Sequence, residues 1–333
     1  MRKNRWRIFS SEKYMSLIDR GSNRYNKIST YWVKVFWIKE MGKSMKYRYV
    51  VDYKEDKVLR ESFNTLAIKT FDINFNSWYE KGLWGDQYIP YSLVDHNKVI
   101  ANISVNLMRF QQDGIAKNYI QLGTVMTDEA YRGQGLSRFL MEQILAEYKD
   151  KVDGIYLFGN DSVLEFYPKF GFKPAKEYRY SKKVCIKGNM KTAQKVDMSE
   201  CSNWEKLFTA SKTAELNGRL AMSNQGLLGF WITGYKKNSI YYMPEQKAYV
   251  IADVENEVLT LHEIFAGQRL ALDEVITAFG SGIKEVILGF TPYVIEGYTI
   301  KPYHEEDCTL FIIGDNLKIV EEQKLMFPTV SHA

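Results

Sequence analysis

The chain has 333 residues, a formal net charge of +5 at pH 7 and 45% hydrophobic residues. This length exceeds that of a usual single domain and allows two hydrophobic cores. Three widely spaced cysteines (Cys185, Cys201 and Cys308) suggest neither a disulfide framework nor a metal site, so we expect a reducing, cytoplasmic location and no metal.

The first 44 residues form a basic segment with 11 Lys+Arg and 3 Asp+Glu, which leaves 34 against 37, or −3, for the remainder. The net charge of this remainder therefore predicts no nucleic-acid-binding surface on the folded part. The apolar run YWVKVFWI is short and contains Lys34, so neither a signal peptide nor a membrane span is expected. We interpret residues 1–44 as an N-terminal extension, and the alternative is an arm that binds nucleic acid or a membrane surface.

Regular patterns begin at Met45. MKYRYVVDY reads as an edge strand, EDKVLRESFNTLAIKTF has apolar residues at helical spacing, and FDINFNSWYEKGLW predicts a second short helix. YIPYSLVDHNKVIANISVNLMRF alternates apolar residues with Asn102, Ser104 and Asn106, which indicates a hairpin turning at residues 95–97. After the turn QQDG, NYIQLGTVMT is a third strand, so antiparallel strands lead into the next motif.

The stretch TVMTDEAYRGQGLSRFLMEQIL, residues 124–145, combines a strand end, a glycine-rich turn and an amphipathic helix. The first amides of a helix lack intrahelical partners, and Gly133 and Gly135 let a phosphate approach the backbone. Arg132 adds a fork of donors suited to a pyrophosphate. The P-loop pattern is absent, and Arg138 stands where a dinucleotide fingerprint needs its third glycine. The turn therefore predicts a different phosphate-containing ligand.

VMTDEAYRGQGLS resembles the cofactor motif of the GNAT superfamily of N-acetyltransferases. Downstream, GIYLFGNDSVLEFYPKFGFKP resembles the next block of that family, with Tyr167, Lys169, Gly171 and Phe172 in order. The two blocks support the family for residues 45–180. The resemblance implies an α/β (α+β) GNAT fold, in which a mixed, mostly antiparallel sheet with a splayed central strand pair is flanked by helices.

In this family acetyl-CoA enters the V-shaped gap between the splayed strands. The resemblance implies that the pantetheine arm pairs with the backbone near Val125 and Thr127 and bonds Asn160, while the pyrophosphate lies on the amides from Arg132 to Ser137. The predicted cofactor-binding residues are Val125, Met126, Thr127, Arg132, Gly133, Gln134, Gly135, Leu136, Ser137 and Asn160.

The same resemblance places Tyr167 beside the thioester sulfur, where a phenol can protonate the leaving thiolate. Packing is the alternative role for this ring. The general base stays open among Asp72, Glu80, Asp86, Asp128 and a water chain.

Aromatic residues are dense in FNSWYEKGLWGDQYIPY, the region that carries acceptor specificity in the family fold. Trp78, Tyr79 and Trp84 suit either a groove for an amine substrate or a packed core.

The second half repeats a strand-helix-strand layout. KAYVIADVENEVLTLHEIFA reads as a hairpin, QRLALDEVITAFGSG as a helix and KEVILGF as a strand. The turn at Ala266–Arg269 is too short for a phosphate loop. We therefore predict domains at residues 45–183 and 195–333, the second being a degenerate GNAT-like lobe without cofactor, as in tandem relatives of the mycobacterial enhanced-intracellular-survival protein.

The chain ends in KLMFPTVSHA, whose apolar residues predict a docked tail. In those relatives the C-terminal carboxylate reaches the active site. His332 or the Ala333 carboxylate could then accept the proton of the amine. A frayed terminus is the alternative.

These features predict a CoA-dependent N-acetyltransferase that moves an acetyl group to a primary amine of a small molecule or peptide by direct attack in a ternary complex. A non-catalytic acyl-CoA-binding or sensing module is the alternative. The acceptor, the oligomeric state and the role of the second lobe stay open.

Overall fold

The computed structural model describes residues 7–10, 36–40, 43–187 and 191–333. Most of the predicted basic extension lies outside the described residues. The strands are β1 (Arg7–Ser10), β2 (Phe36–Glu40), β3 (Lys43–Val51), β4 (Tyr88–Asp95), β5 (Lys98–Gln112), β6 (Ile115–Thr127), β7 (Gly154–Gly159), β8 (Lys173–Ala175), β9 (Glu177–Lys183), β10 (Gln194–Lys195), β11 (Leu220–Met222), β12 (Ile240–Met243), β13 (Ala248–Glu255), β14 (Val258–Phe265), β15 (Glu285–Leu288), β16 (Thr299–Tyr303) and β17 (Thr309–Ile313). The α-helices are α1 (Lys57–Phe71), α2 (Asn76–Glu80), α3 (Leu136–Tyr148), α4 (Cys201–Thr213), α5 (Gln225–Thr233), α6 (Leu272–Thr277) and α7 (Ile319–Glu322).

The chain forms two compact units, each discontinuous in sequence. The first contains residues up to 75 together with 89–105 and 124–145, and the second contains 76–88, 106–123 and 146–333. Within the described residues, no helix is both long enough and apolar enough to cross a membrane.

In the first unit, strands β3, β4, β5 and β6 neighbour one another in that order. Helix α1 begins where the Asp56 side chain accepts hydrogen bonds from the amides of Val58 and Leu59, at 3.0 and 3.1 Å. It ends at Asp72, which adopts a left-handed conformation with φ 57°. The face that includes Leu59 and Phe63 is buried, as the apolar spacing predicts.

The second unit contains two mixed sheets. The first has the order β5-β6-β7-β17-β8, with β11 on the far side of β5. The second has the order β10-β12-β13-β14-β15-β9-β16. In each sheet one central pair is parallel: β6 with β7, and β14 with β15. These mixed sheets with flanking helices confirm the predicted fold class.

Two strands cross the predicted domain boundary. Strand β9 precedes the boundary but pairs with β15 and β16 in the second sheet. Strand β17 comes late in the chain but pairs with β7 and β8 in the first sheet. The two sheets of this unit are therefore linked by exchanged strands, an arrangement that local sequence patterns do not encode.

Helix α6 is shorter than the predicted helix over residues 268–282. The Leu270 amide instead donates to Asn217 Oδ1 at 3.1 Å, and the Arg269 side chain donates to the Leu216 carbonyl at 3.2 Å. The chain leaves the helical conformation by Gly280, where φ is +88°. Tertiary hydrogen bonds thus shorten this helix at its start.

Candidate active site

The loop before α3, in the first unit, is built for a close approach to its backbone. Gly133 and Gly135 both have φ of +76°, a conformation that side chains rarely adopt. A Cβ built on either residue would meet no described atom within 4 Å. The loop therefore combines a strict need for glycine with open space in front, which fits a phosphate resting on the backbone.

Neighbouring side chains hold the loop. The Thr127 and Ser137 hydroxyls lie 2.7 Å apart, which joins the end of β6 to the start of α3. Gln134 Oε1 accepts a hydrogen bond from the Tyr47 hydroxyl at 3.1 Å. Arg132 is largely exposed, and its Nε lies 3.4 Å from the Thr127 carbonyl. Its guanidinium can therefore turn towards an anion.

Strand β6 is distorted before the loop. Thr124 is a β-branched residue with φ of +50°, and its carbonyl accepts a hydrogen bond from Asn102 Nδ2 at 2.9 Å. Asn102 is fully buried and also bonds Ser92 and Ser104. Asn102 and Ser104 of β5 thus belong to an interior network that supports this distortion. Sequence reasoning missed Thr124, because no local pattern predicts a left-handed conformation at a β-branched residue.

The three strand residues predicted to bind the pantetheine arm follow that distortion. Met126 is buried, whereas Val125 and Thr127 are partly exposed. Leu136 is buried and anchors the first turn of α3.

In the second unit, β6 and β7 pair for only four residues each. Their parallel register runs from Tyr119 and Gly154 to Leu122 and Leu157. Strand β7 nevertheless continues to Gly159. The pairing therefore ends inside the strands, as the predicted splayed pair requires.

The C-terminus lies where that pairing ends. In the amide orientation that satisfies both neighbours, Gln121 donates to the Ser331 carbonyl at 2.8 Å and accepts from the Ala333 amide at 2.9 Å. A Cβ built on Gly123 would lie 2.9 Å from an Ala333 oxygen. Ala333 itself is exposed. The terminal carboxylate therefore lies against β6, on the residues that follow the pairing.

His332 is held differently from Ala333. Its ring stacks on Phe158 of β7 with centroids 3.9 Å apart. Burial lowers the pKa of His332 to about 4, although a hydrogen bond to the Phe327 backbone opposes that shift. The imidazole of His332 is therefore neutral near pH 7.

Tyr167 lies against β7 and is 3% exposed. A Cβ built on Gly159 would be 2.7 Å from its Cε2 atom, so the missing side chain makes room for the ring. Phe311 of β17 also packs on the ring, with centroids 5.3 Å apart. Burial raises the pKa of Tyr167 to about 12, so the phenol is protonated at neutral pH but is a weaker acid than an exposed phenol.

Asn160 bonds a neighbour that the sequence did not suggest. Its side-chain amide donates to Asp307 Oδ2 at 2.8 Å, and the Asp161 amide donates to the other oxygen of Asp307 at 2.7 Å. These two bonds lower the pKa of Asp307. One of the two N–H groups of Asn160 is therefore taken, and its role towards pantetheine remains a prediction.

The predicted aromatic residues form a packed cluster in the second unit. Trp78 and Trp84 stack with centroids 5.4 Å apart, and each is 4% exposed. The indole of Trp78 donates to the Gly226 carbonyl at 2.8 Å, and that of Trp84 donates to the Tyr88 carbonyl at 3.0 Å. Tyr79 is partly exposed at the edge of the cluster. Core packing accounts for both tryptophans, and the binding role of the three residues remains a prediction.

Among the carboxylates considered as the base, Asp128 is fully engaged. It pairs with Lys98 at 2.9 Å and caps the following turn at the Ala130 amide. The hydrogen bond from Lys98 is the largest of the effects that lower the pKa of Asp128. A carboxylate stabilised in this way is a weak base.

A cavity of about 360 Å³ lies in the second unit beside His332. Phe158, Ala175 and Leu310 give it apolar walls. Three carboxyl groups, those of Glu177, Glu305 and Glu321, line it together with Lys176 and His304. Sequence reasoning missed this cavity, because its residues come from strands and loops that only the exchanged pairing brings together.

Glu177 is the buried carboxyl of that cavity. Its Oε1 accepts a hydrogen bond from the Phe327 amide at 2.7 Å. Burial nevertheless raises the pKa of Glu177 to about 8. A cation in the cavity would favour the ionised form.

Residues 56–172 match a family model described as "Acetyltransferase (GNAT) family". This range contains both the glycine loop and Tyr167. A search of curated proteins gave no match.

A comparison with solved structures also gave matches. A "Probable N-Acyltransferase" from Enterococcus faecalis V583 has a TM-score of 0.52 and 16% identity, over 82% of this chain and 74% of that chain. A GCN5-related N-acetyltransferase from Kribbella flavida has a TM-score of 0.48 and 14% identity, over 80% and 71% of the two chains. Eis1 from Mycobacterium abscessus has a TM-score of 0.49 and 12% identity, over 80% of this chain and 72% of that chain. At 16% identity, the first likeness concerns the fold alone.

Proposed function

We propose that this chain, which belongs to the GNAT superfamily of N-acetyltransferases through residues 56–172, moves an acetyl group from acetyl-CoA to a primary amine. The observation that carries the proposal is the glycine loop with open space in front of Gly133 and Gly135. Two left-handed glycines that flank Gln134 leave the backbone of the loop open to a ligand. In this family such a loop holds the CoA pyrophosphate.

The loop residues bind and do not react. The amides from Gly133 to Ser137 would donate to the pyrophosphate, and the exposed guanidinium of Arg132 would add a bidentate contact. Acetyl-CoA supplies the activated acyl group, and the chain supplies orientation and proton transfer.

Two groups are proposed to move protons. The amine nitrogen attacks the acetyl carbonyl carbon and passes its proton to the Ala333 carboxylate. The bond between carbon and sulfur breaks, and the sulfur takes the proton of Tyr167. Water then restores both groups. The position of Ala333 against Gly123 and its exposure support the carboxylate, whereas the ring of His332 is stacked on Phe158.

The acceptor is proposed to occupy the cavity beside His332. Its carboxyl groups attract a positive charge, and its apolar walls accept a hydrocarbon or ring body. The class that fits best is a small molecule or peptide that carries several amines, one of which reacts while another remains a cation.

The test is a panel of polyamines, amino sugars and lysine peptides incubated with acetyl-CoA, with released thiol as the readout. A chain whose Ala333 carboxylate is converted to an amide by ligation serves as the matched variant. We expect thiol release with at least one amine and a loss of about 100-fold in turnover for the amide form, the usual scale of one acid-base group.

Two results would contradict parts of this proposal. Tight acetyl-CoA binding without transfer to any amine would favour the acyl-CoA-binding or sensing module. Full activity of the amide form would keep the acetyltransferase but remove Ala333 as the base.

A further inference from the structure

The second sheet also contains a short parallel pair. Strands β14 and β15 pair over four residues each, ending at Leu261 and Leu288. Strand β15 ends there, whereas β14 continues to Phe265. Beyond the pair β14 therefore runs on without β15, and we call this place the opening of the second lobe.

The chain's own tail lies at this opening. The Met326 amide donates to Thr291 Oγ1 at 2.9 Å, and the Thr329 amide donates to the Gly289 carbonyl at 2.8 Å. A Cβ built on Gly289 would lie 2.6 Å from Thr329 Oγ1. Gly289 follows β15 directly, so the tail takes the place beside the strand end.

The Thr329 hydroxyl reaches a buried histidine. It lies 2.8 Å from Nδ1 of His262, a residue of β14 that is 6% exposed. On the other side of the ring, Nε2 lies 2.8 Å from Asp253 Oδ2. Lys236 and Ser239 also bond Asp253. The threonine, the imidazole and the carboxylate therefore form one continuous chain of hydrogen bonds.

Nε2 of His262 faces two partners, because Lys236 Nζ lies 3.0 Å from it in addition to Asp253 Oδ2. Burial lowers the pKa of His262, which favours the neutral imidazole. The Thr329 hydroxyl can donate to Nδ1 or accept from it, because a hydroxyl does both. In either tautomer the imidazole holds the Thr329 hydroxyl, so His262 fixes the place of Thr329.

Beyond Thr329 the tail passes to the first sheet within a few residues. Val330 and Ser331 are fully buried, and the Ser331 carbonyl accepts from Gln121 of β6. The Trp231 indole donates to the His332 carbonyl at 2.9 Å. The tail is thus anchored on β14 at one end and on β6 at the other.

We infer that His262 is a positioning residue, which holds Thr329 and thereby sets the place of the Ala333 carboxylate on β6. The second lobe then acts as a clamp for the chain terminus, and its opening receives the tail instead of an acyl-CoA. This inference rests on the proposed role of Ala333.

The test compares Thr329→Val, which loses only the hydroxyl, with Thr329→Ser, which keeps it. Thr277→Val is the matched control, because its hydroxyl bonds the Asp273 carbonyl within α6 and lies on the exposed side of the same lobe. Hydrogen exchange of the amides of residues 330–333, kcat, the acceptor KM and the acetyl-CoA Kd are measured for each, with a melting curve to show folding.

For Thr329→Val we expect exchange in the tail to rise about tenfold, the factor carried by one buried hydrogen bond of roughly 1.4 kcal/mol. Turnover should fall by about tenfold or more, because a displaced reacting group is costly. The acetyl-CoA Kd should stay within about twofold, since the hydroxyl touches no predicted cofactor residue. Thr329→Ser should restore exchange and turnover, and Thr277→Val should match the native chain.

If hydrogen exchange of the amides of residues 330–333 is unchanged in Thr329→Val, the inference is overturned, because the hydroxyl would then not hold the tail in place. Raised exchange with native turnover would also overturn it, because the displaced tail would carry no catalytic group. If the native chain transfers acetyl to no amine, the proposed function fails, and exchange alone then decides whether His262 holds the tail.

Discussion

Replacing Gly135 with valine tests whether the glycine loop binds acetyl-CoA, because the loss of affinity can be distinguished from the loss of stability. The backbone there has φ of +76°, and an L-residue in that region costs about 1–2 kcal/mol, with β-branched residues at the upper end. Because a Cβ would meet no described atom within 4 Å, no collision adds to this cost. The free energy of unfolding should therefore fall by about 1–2 kcal/mol while the chain stays folded.

The effect on acetyl-CoA should be larger than the effect on stability. The added side chain would occupy the space that the pyrophosphate needs. Losing one hydrogen bond to a charged group costs about 1.5–3 kcal/mol, which corresponds to roughly 10-fold to 150-fold in Kd. Isothermal titration calorimetry with acetyl-CoA measures this loss directly.

Gly114→Val is the matched control for this experiment. Gly114 has φ of +82° in the turn between β5 and β6, and a Cβ there would also meet nothing within 4 Å. The control should lose similar stability and keep native acetyl-CoA affinity. Equal affinities in the two variants would refute the assignment of the loop.

Three further changes test other residues. Tyr167→Phe should keep acetyl-CoA affinity by calorimetry and lose about 100-fold in kcat, whereas native turnover with a slowly leaving acyl donor would reduce this ring to packing. Gly123→Ala should lower kcat with little change in the melting temperature, because the new Cβ would lie 2.9 Å from an Ala333 oxygen and would displace the terminal carboxylate. A kcat equal to that of the native chain would show that this contact has no role in catalysis. Burial raises the pKa of Glu177 from 4.5 to about 8, so the native state holds a proton that the unfolded chain releases, and stability should fall as pH rises from about 4.5 to 8. Denaturant titrations at several pH values should show a flatter profile for Glu177→Gln, and an unchanged slope would contradict that pKa.

Local patterns alone were enough to predict the glycine loop. Glycines at 133 and 135 before an amphipathic helix permit left-handed turns at a helix start, and this is a property of neighbouring residues. Helix α1 is also a local feature, because its N-cap Asp56 and its apolar stripe lie within one continuous stretch of the chain. The order of the two motif blocks was likewise sufficient to predict the GNAT fold.

Other features depended on partners that are distant in sequence. Trp78 and Trp84 suit a binding groove or a core equally well by residue type, and only their packing shows that they are buried. Asn160 has the pattern of a ligand contact, but Asp307 lies 147 positions away and takes one of its donors. Side-chain chemistry limits the partners of a residue, whereas the fold selects among them.

Periodicity and backbone preference within a few residues were enough to predict the glycine loop, the alternating strands and the apolar character of the tail. The exchange of β9 and β17 between sheets, the contact of His262 with Thr329 and the position of Ala333 on β6 appear only in the folded chain. Those contacts join residues 67 to 210 positions apart, and no local propensity specifies which distant surfaces will pair.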